Sequence, residues 1–545
     1  MTRAIRLGAA LLGAVCALPL GAQTVSTGGA PVSALPDSAR NGVFVLDAFE
    51  GTLRAGPRLV EVAPDGTLSF VGGDPAFDPQ TAVDARVFAI EAAGDRVVVG
   101  LGFSDVTSDA DEPPETAAGF AVSDDGGATW TYRFPALDTS SDSVLAIGVN
   151  TLEAIPASVP QFAAPLDLGM TAGGDTIYVA GRFAGLRRSV DGGATWSRVV
   201  LPPDSLLAFD PRLPTDFVYS PDLRQPLGFV DGDRERPIFP FASTNWVSFS
   251  VLVDEAGTVW AGSAGGLNRS VRLEGTDDLG WIRYVDAPLG NRPVGNLIYT
   301  LETQPREGRD AVWAVCWNSG EQATTAEEEF GVVVWRGDGA DGAAQFETVL
   351  LGVRAWDLAF DEARAYVASD DGLHISDDDG ATWRIVRTFR DVAGQPFPIR
   401  IGGAAGVRAV ATTPGILWVG TTDGLLRSRD AGRTWELFRA NVTPADPQAE
   451  GRDVEVYAYP NPFDPRRGDV RIRLDLAAAS DVTVRLFDVG MNLVRTIEAP
   501  GRPAGPTEVA WDGLSDGGLR VANGAYVYVV EAEGRARSGR ILVLQ

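Results

Sequence analysis

The side chains that could do chemistry are concentrated in four copies of one eight-residue phrase. The phrase reads S-x-D-x-G-x-T-W, so each copy carries two hydroxyls and one carboxylate within seven residues. Chance does not place five fixed residues in this way four times. Apart from Thr, the fixed positions are Ser123, Asp125, Gly127 and Trp130; Ser189, Asp191, Gly193 and Trp196; Ser376, Asp378, Gly380 and Trp383; and Ser428, Asp430, Gly432 and Trp435.

Each residue type in the phrase has a structural use at the tip of a β-hairpin. An Asp side chain accepts hydrogen bonds from backbone N–H groups just ahead of it, and Gly supplies the positive φ of a tight turn. Ser and Thr hydroxyls bond to nearby backbone groups, and Trp buries a large apolar face at the start of the next strand. The phrase therefore predicts a repeated structural turn, and no member is left over for catalysis.

Candidates for catalysis elsewhere in the chain are few. His374 is the single histidine, so a Ser–His–Asp triad would have to use it, and a metal site with several histidines is excluded. A glycosidase needs two carboxylates that face each other across a cleft, and 73 Asp and Glu residues leave many candidate pairs. We predict no catalytic residue and no cofactor from the sequence.

Two acidic segments are weak candidates for a calcium site, since calcium needs only oxygen ligands. One is an insertion at 104–115, within the loop 103–118, which contains Asp109 and Asp111. The other is the third box, which contains Asp377 and Asp379. Neither matches the spacing of an EF-hand loop, so a solvated turn is the interpretation we favour for both. Long loops often carry recognition, which makes the insertion the first place to expect a ligand.

The repeat predicts an all-β fold. A Gly-Leu or Gly-Phe pair and a short β-rich run precede each box, which indicates strand, turn, strand, hairpin, strand. Degenerate units are expected at Gly266–Tyr284 and Phe330–Val349, and an early unit around the turn Asp65-Gly66-Thr67. About seven four-stranded units thus span residues 43–440. Stacked units of this kind close into a ring, so we expect a β-propeller of about seven blades, with six or eight left open.

The phrase resembles the Asp-box, or BNR repeat, of sialidases, sortilin-type receptors, some xyloglucan-degrading hydrolases and photosystem assembly factors. The resemblance covers roughly residues 43–440 and implies a β-propeller, but those families share the scaffold and not the chemistry. Sialidases also carry an early F/Y-R-I-P motif. Its nearest counterpart here is Tyr132-Arg133-Phe134-Pro135, which follows the first box instead of preceding all four. Sialidase activity is therefore not the expected function.

The charge limits the possible partners, and the amino-terminal residues predict export. The net charge is −27 and all 46 basic residues are Arg, so binding to nucleic acid or to anionic membrane is disfavoured. Residues 1–22 are typical of a signal peptide, with Arg3 and Arg6 ahead of an apolar run.

Removal of the signal peptide would leave Cys316 as the one cysteine, in an apolar setting that indicates a buried structural thiol. No later segment is apolar enough to predict a transmembrane helix.

The carboxy-terminal residues predict a second domain. A linker is expected at 441–453, and residues 454–545 show the short, evenly spaced strands of a small β-sandwich. The order Y-P-N-P-F, L-F-D-x-x-G, W-D-G and N-G-x-Y-V-Y resembles the Ig-like domain of flagellar hook-capping proteins. It resembles equally the type A sorting domain of the type IX secretion system. With an export signal present, sorting is the favoured interpretation, and the outer-membrane secretion machinery is the implied partner.

Together these features predict a non-catalytic propeller, secreted or held at the cell surface, that binds a protein or a glycan. The alternative is a secreted glycoside hydrolase, sialidase-like or otherwise glycan-degrading, that uses the face of the propeller. A periplasmic assembly factor is a third hypothesis, against which the sorting-type tail argues.

Overall fold

The computed structural model describes residues 45–438 and 456–544, apart from internal gaps of which the longest are 71–85, 105–114, 222–242 and 319–327. The predicted signal peptide at 1–22 and linker at 441–453 lie outside the described residues. The described residues belong to two compact units, of which each is presented by itself.

Seven antiparallel sheets form the blades of the first unit within the described residues. The strands of blades 1 to 4 are β1 (Val45–Phe49), β2 (Thr52–Gly56), β3 (Val60–Val62) and β4 (Leu68–Phe70); β5 (Arg86–Ala93), β6 (Arg96–Ser104), β7 (Glu115–Ser123) and β8 (Thr131–Arg133); β11 (Pro165–Met170), β12 (Ile177–Gly181), β13 (Gly185–Ser189) and β14 (Ser197–Val199); β16 (Ser248–Val253), β17 (Val259–Ser263), β18 (Gly266–Arg272) and β19 (Leu279–Tyr284). The strands of blades 5 to 7 are β20 (Leu297–Gln304), β21 (Ala311–Trp317), β22 (Gly331–Asp338) and β23 (Ala344–Leu351); β24 (Ala355–Asp361), β25 (Arg364–Ser369), β26 (Gly372–Ser376) and β27 (Arg384–Val386); β28 (Val407–Thr413), β29 (Ile416–Thr421), β30 (Gly424–Ser428) and β31 (Glu436–Phe438).

The seven sheets close into a ring. In each blade the strands follow one another in sequence order, and the first strand lies beside the first strand of the next blade. The first strand of blade 7, β28, lies beside β1, so no blade is left with an open inner neighbour. The prediction of a β-propeller with about seven blades is confirmed, and the degenerate units fall in blades 1, 4 and 5.

Additional elements that the sequence did not predict lie between blades 2 and 4. A hairpin of β9 (Val144–Ile147) and β10 (Asn150–Glu153) follows blade 2, and β15 (Ala208–Phe209) adds a fifth strand to the outer edge of blade 4. A single 3₁₀ turn, Thr244–Trp246, precedes β16. These elements share one apolar cluster with blades 3 and 4, in which Trp246 is fully buried.

Apolar side chains fill the spaces between neighbouring blades. Trp260 of blade 4 and Trp335 of blade 5 lie 4.8 Å apart between ring centroids, and Trp313 of blade 5 and Phe360 of blade 6 lie 5.0 Å apart. Large aromatic rings bury more area per residue than aliphatic chains, so a few of them can hold two sheet faces together.

Buried carboxylates join the innermost strands of neighbouring blades. Asp357 accepts the N–H of Leu358 on Oδ1 and the N–H of Val410, in the next blade, on Oδ2, each at 2.9 Å. Asp167 makes the matching contact to Val251 in the next blade at 2.8 Å. A buried carboxylate is tolerated only where hydrogen bonds replace its water shell, and here those bonds run between separate sheets.

The second unit is a small β-sandwich of two sheets. Its strands are β32 (Val456–Tyr459), β33 (Val470–Leu476), β34 (Ser480–Phe487), β35 (Leu493–Arg502), β36 (Gly505–Trp511), β37 (Gly524–Ala532) and β38 (Arg535–Val543). One sheet has the order β32-β33-β36 and the other β35-β34-β37-β38. Phe463, Trp511 and Tyr528 are buried between them. The predicted Ig-like sandwich is thus confirmed as the fold of this unit.

The Asn of the Y-P-N-P-F motif covers a sheet edge in this unit. Asn461 donates from Nδ2 to the carbonyl of Arg540 and accepts the N–H of Leu542 on Oδ1, both at 2.7 Å. Phe463 continues the pairing, since its N–H donates to the Leu542 carbonyl at 2.8 Å. The motif thereby satisfies backbone groups of the last strand that an open edge would leave exposed.

Charge is divided unequally along the chain. Residues 456–545 hold 11 arginines and 11 acidic residues, so the whole net charge of −27 lies before residue 456. The sandwich is neutral overall, and the propeller is strongly acidic.

We predict that the Asp357→Ala substitution lowers the free energy of unfolding by about 3 kcal/mol, because it leaves two buried backbone N–H groups without acceptors. Asp361→Ala is the matched control, since Asp361 lies on the same strand, is exposed and pairs only loosely with Arg364 at 3.3 Å. Chemical denaturation followed by tryptophan fluorescence measures both. Equal stability of the two variants would contradict the role assigned to Asp357.

Candidate functional site

Each box forms the hairpin between the third and fourth strands of its blade, near the outside of the ring. In the first box, the Ser123 hydroxyl donates to Asp125 Oδ1 and accepts from the Gly127 N–H, both at 2.8 Å. Asp125 also accepts the Thr129 N–H at 2.8 Å and the Thr129 hydroxyl at 2.6 Å. The same four bonds, all between 2.5 and 2.9 Å, recur in the other three boxes.

These bonds set the protonation of the box carboxylates. Hydrogen bonds from the side chain and backbone of Thr129, and then from Ser123, lower the pKa of Asp125 to about 2. Thr195 lowers the pKa of Asp191 to about 2 in the same way. A carboxylate whose oxygens already accept from its own turn, and which stays ionised at neutral pH, is a poor general acid or base.

A further contact of the boxes, which the sequence analysis missed, joins neighbouring blades. The residue between the fixed Asp and Gly takes a φ of 58° to 71°, and its carbonyl accepts a hydrogen bond from an arginine of the preceding blade. The donor–acceptor distances lie between 2.7 and 3.3 Å. The four arginines, called the clamp arginines below, are Arg54, Arg133, Arg336 and Arg384.

No sequence pattern revealed the clamp arginines, and their spacing explains why. They lie 72, 59, 43 and 47 residues ahead of the carbonyls they bind, and they occupy strands β2, β8, β22 and β27. The one available signal was compositional, because the absence of Lys indicates that the basic residues are used for their planar, multiple donors.

The box tryptophans also pack against the preceding blade. Trp196 lies 4.9 Å from Phe120 of blade 2 between ring centroids, and Trp383 donates from Nε1 to the Val349 carbonyl of blade 5 at 2.8 Å. Trp435 is almost fully buried. The geometry of the boxes therefore serves the ring and leaves no reactive group open to a substrate.

Two of the calcium candidates are engaged by arginines. Asp377 lies 2.5 Å from Arg364 Nε, and Asp379 is bound by Arg306 and by Arg336 at 3.0 Å. Asp109 and Asp111 lie outside the described residues. Within the part of the chain that the structure describes, no three His, Cys, Asp or Glu side chains are placed to hold a metal ion.

His374 and its neighbours lack the order of a catalytic triad. His374 Nε2 lies 2.9 Å from Asp371 Oδ1, and the Ser369 hydroxyl donates to the same oxygen at 2.7 Å. A triad needs the imidazole between the hydroxyl and the carboxylate, whereas here both side chains bind the carboxylate directly. Burial opposes it, but the hydrogen bonds from His374 and Ser369 lower the pKa of Asp371 to about 2.

Cys316 and the Tyr132–Pro135 string have structural surroundings. Cys316 is fully buried, and burial raises the pKa of its thiol to about 12, so it is not a nucleophile at neutral pH. Arg133, the arginine of the string that is nearest to the sialidase motif, is a clamp arginine. Its Nε donates to the Gly192 carbonyl at 3.3 Å.

A candidate site lies at the end of the ring where the innermost strands begin, which we call the mouth. Within the described residues, six innermost strands carry a one-residue bulge near their start, which we call the collar. Its members are Phe88, Leu166, Phe249, Tyr299, Trp356 and Arg408. Successive members contact each other across blades, with Tyr299 5.5 Å from Trp356 and Arg408 4.0 Å above Trp356. A residue that contacts its counterparts on the innermost strands of both adjacent blades faces the ring axis. A bulge turns the side chain of the extra residue in this direction.

On the side of blades 5 to 7 the collar widens into an aromatic surface. Tyr299 stacks flat on Trp317 with centroids 4.1 Å apart, and Trp317 meets Trp356 edge to face at 4.7 Å. Arg354, whose side chain is 46% exposed, lies 4.4 Å over Trp317 and 5.0 Å over Trp356. We call Tyr299, Trp317, Arg354, Trp356 and Arg408 the mouth cluster.

The charged groups of the mouth cluster are two arginines, and both lie close to the Asp370 carboxylate. Asp370 accepts from Trp356 Nε1 at 2.8 Å and from Arg408 Nη1 at 2.6 Å, while Arg354 Nη1 lies 4.0 Å from it. Two guanidinium groups thus face one carboxylate. Burial, and then the negative charge of Glu115, raise the pKa of Tyr299, so its hydroxyl stays neutral. Aromatic faces and an exposed guanidinium edge are suited to recognition of a ligand.

The fold and this site define an all-β protein with a seven-bladed propeller and an Ig-like module. Residues 464–535 match the family model of the FlgD Ig-like domain. No curated protein matches the chain. No helix among the described residues has the length and apolar character that a membrane crossing requires.

Solved structures with similar folds come from several kinds of protein. The chain is similar to PorZ of Porphyromonas gingivalis, described as an essential bacterial surface component of the type-IX secretion system (14% identity, 92% of this chain and 75% of that chain, TM-score 0.26). It is also similar to a GH74 xyloglucanase from Xanthomonas campestris (13%, 90% and 64%, 0.41) and to YCF48 from Cyanidioschyzon merolae (15%, 72% and 96%, 0.38). These values carry no argument about activity.

We predict an acid-dependent loss of stability from the boxes. A carboxylate with a lowered pKa in the folded state stabilises the fold above its unfolded pKa of about 3.9, and this contribution is lost as the pH falls toward 2. The stability difference between the native chain and Asp125→Asn should therefore be present at pH 6 and shrink as the pH falls toward 2. Asp124→Asn removes the same charge from the same turn and is the control. Urea unfolding across this pH range measures all three proteins, and a difference that persists unchanged at pH 2 would contradict the prediction.

Proposed function

We propose that this protein is an exported, non-catalytic β-propeller that binds a protein or a glycan at the cell surface or outside the cell. The observation that carries the proposal is that the polar groups of the boxes make structural contacts, whereas Arg354 at the mouth is exposed. Box hydroxyls, box carboxylates and clamp arginines bond within the ring, whereas aromatic rings and an exposed arginine meet at the mouth. Aromatic rings beside an exposed arginine are typical of a surface that recognises ligands. We assign no catalytic role to any pair of groups at the mouth.

The mouth cluster has the physical properties of a binding surface. Arg354 is held by stacking on two indole rings, so little side-chain freedom is lost when it meets a ligand. It pairs with Asp370 at 4.0 Å, and because its side chain is 46% exposed, its donors are accessible. Rigid aromatic and arginine side chains are the residue types that dominate the energetics of known recognition surfaces.

We propose that the carboxy-terminal unit directs delivery. Its match to the FlgD Ig-like family and its motif order support a sorting domain of the type IX kind, with residues 454–545 as the part recognised by the outer-membrane secretion machinery. The proposed path begins with the signal peptide at 1–22 and ends with the chain displayed at the cell surface or released. In this proposal the propeller is the part that is exported, and the sandwich is the signal that the secretion machinery recognises.

Deletion of residues 454–545 should leave the protein in the periplasm, because the propeller carries no second address in this proposal. Cell fractionation and surface protease accessibility of a tagged chain measure the location. The full chain with the same tag is the control, and resistance of the truncated propeller to limited proteolysis shows that it has folded. Surface delivery of the folded, truncated chain would refute the sorting role.

The Arg354→Ala substitution should weaken ligand binding about tenfold, because a hydrogen bond to a charged donor contributes roughly 1.5–3 kcal/mol. The measurement is binding of the labelled full chain to a glycan array and to purified cell envelopes. Arg364→Ala, which changes a partly exposed arginine at the start of β25 in blade 6, is the matched control.

The same samples test the alternative of a glycoside hydrolase. A screen for release of sugars from the bound glycans should give no product. Product formation that Arg354→Ala abolishes would establish the hydrolase and overturn the non-catalytic assignment. Equal binding by Arg354→Ala and Arg364→Ala would show that the ligand site lies elsewhere.

A further inference from the structure

We propose that four exposed apolar side chains at one end of the β-sandwich dock into an apolar recess of the outer-membrane secretion machinery. They are Val489, Met491, Leu493 and Leu519, which we call the sandwich tip, and they are 80%, 62%, 52% and 74% exposed. This inference rests on the proposed sorting role of residues 454–545 and assigns the surface by which that unit is recognised.

The exposure of large apolar side chains is confined to one end of the unit. Within the part of the sandwich that the structure describes, those that are more than half exposed are the four of the tip. Three of them lie in or directly after the turn between β34 and β35, and Leu519 lies in the connection between β36 and β37. Single exposed apolar residues are normal on a protein surface, whereas a group of them marks a site of interaction.

Hydrogen bonds hold these two connections side by side. The Asp516 N–H donates to the Val494 carbonyl at 2.8 Å, and the Thr496 N–H donates to Asp516 Oδ1 at 3.3 Å. The connection that carries Leu519 is thereby fixed beside the start of β35, where Leu493 lies. The tip is therefore displayed on a preformed surface, and little backbone freedom is lost when a partner binds.

The turn keeps Met491 in a conformation that favours glycine. Its φ is 59°, which residues with a Cβ rarely adopt. Asp488 fixes the turn, because its carbonyl accepts the Met491 N–H and its Oδ1 accepts the Asn492 N–H, both at 2.9 Å. Glycine or asparagine would relieve this strain, so the stability of the fold does not account for an exposed methionine here. Strain held in this way is typical of functional sites.

Size and charge favour a protein partner that binds transiently. Four side chains expose less than the roughly 800 Å² per partner that a stable dimer buries, which argues against a second copy of the chain. Asp488, Asp512 and Asp516 lie in the same two connections, and their charge disfavours insertion into an anionic membrane. A small apolar contact with a protein recess suits a partner that must release the exported chain.

The experiment follows surface delivery of the tagged full chain in cells that secrete it. Met491→Asn combined with Leu519→Asn should lower the surface fraction about tenfold, as the loss of two anchor side chains from an interface does. The Tm should not fall, because asparagine tolerates the positive φ at position 491, whereas a purely structural role of the tip would lower it.

Val392→Asn is the matched control and should be delivered normally. It removes an apolar side chain that is 85% exposed on a turn of the propeller. If the first double variant does not fold, Val489→Asn combined with Leu519→Asn makes the same test and leaves Met491 in place.

Binding of the purified full chain to membranes identifies the partner. The native chain should bind sonicated outer-membrane fragments of the same cells about tenfold more tightly than the double variant, and neither should bind protein-free vesicles of the extracted lipids. Equal binding of the native chain to the protein-free vesicles would assign the tip to the lipid surface. A dimer of the native chain that the double variant lacks would assign it to a second copy. Either result overturns the proposal.

Delivery separates failure of this inference from failure of the sorting role. Normal delivery of the folded double variant, with the chain lacking residues 454–545 still retained in the periplasm, would exclude the tip and leave the sorting role intact. Normal delivery of the truncated chain would refute the sorting role and this inference with it.

Discussion

Hydrogen bonds that cross from one blade to the next are the interaction on which this structure depends. Each blade is a small sheet that cannot bury its own faces, and the ring exists because neighbouring blades cover one another. Apolar contact alone would let such faces slide. Near the axis, Asp167 and Asp357 fix the spacing of adjacent inner strands. Near the periphery, the clamp arginines bind the carbonyls of the next box. The blades are thereby held at both ends.

This arrangement explains why the boxes contain the residue types of a catalytic site but use them in structural contacts. A turn that must present its carbonyl to a neighbouring arginine needs two successive residues with positive φ, and such a turn is costly unless its backbone N–H groups find acceptors. The Ser and Asp of the box supply those acceptors. The carboxylate accepts hydrogen bonds within its own hairpin. The carbonyl therefore remains available to the clamp arginine of the preceding blade. The collar takes no part in these contacts between boxes, and its bulges direct side chains toward the axis.

The sequence predicted the parts of the molecule that repeat. Box turns, blade strands and the strands of the sandwich, such as Val470–Leu476, lie where hydrophobic alternation and turn residues placed them. It did not predict the collar, because a bulge is a property of strand pairing and requires no fixed residue type. Phe88, Leu166 and Arg408 occupy the same bulge position in their strands but differ in chemistry. The aromatic mouth cluster likewise draws Trp317, Arg354 and Trp356 from two blades. The buried ion pair of Arg187 joins it to Asp138, 49 residues away, and no local pattern connects them.

The uneven distribution of charge has a consequence for crowded surroundings. Two propellers that approach each other repel, since almost all of the net charge of −27 lies in the propeller, whereas two sandwiches meet without a net Coulomb penalty. Many copies side by side should therefore space themselves through their propellers, and the spacing should shrink as ionic strength rises and the Debye length falls below about 8 Å. Lateral order in a dense layer would then be set by salt concentration rather than by any contact between protein surfaces.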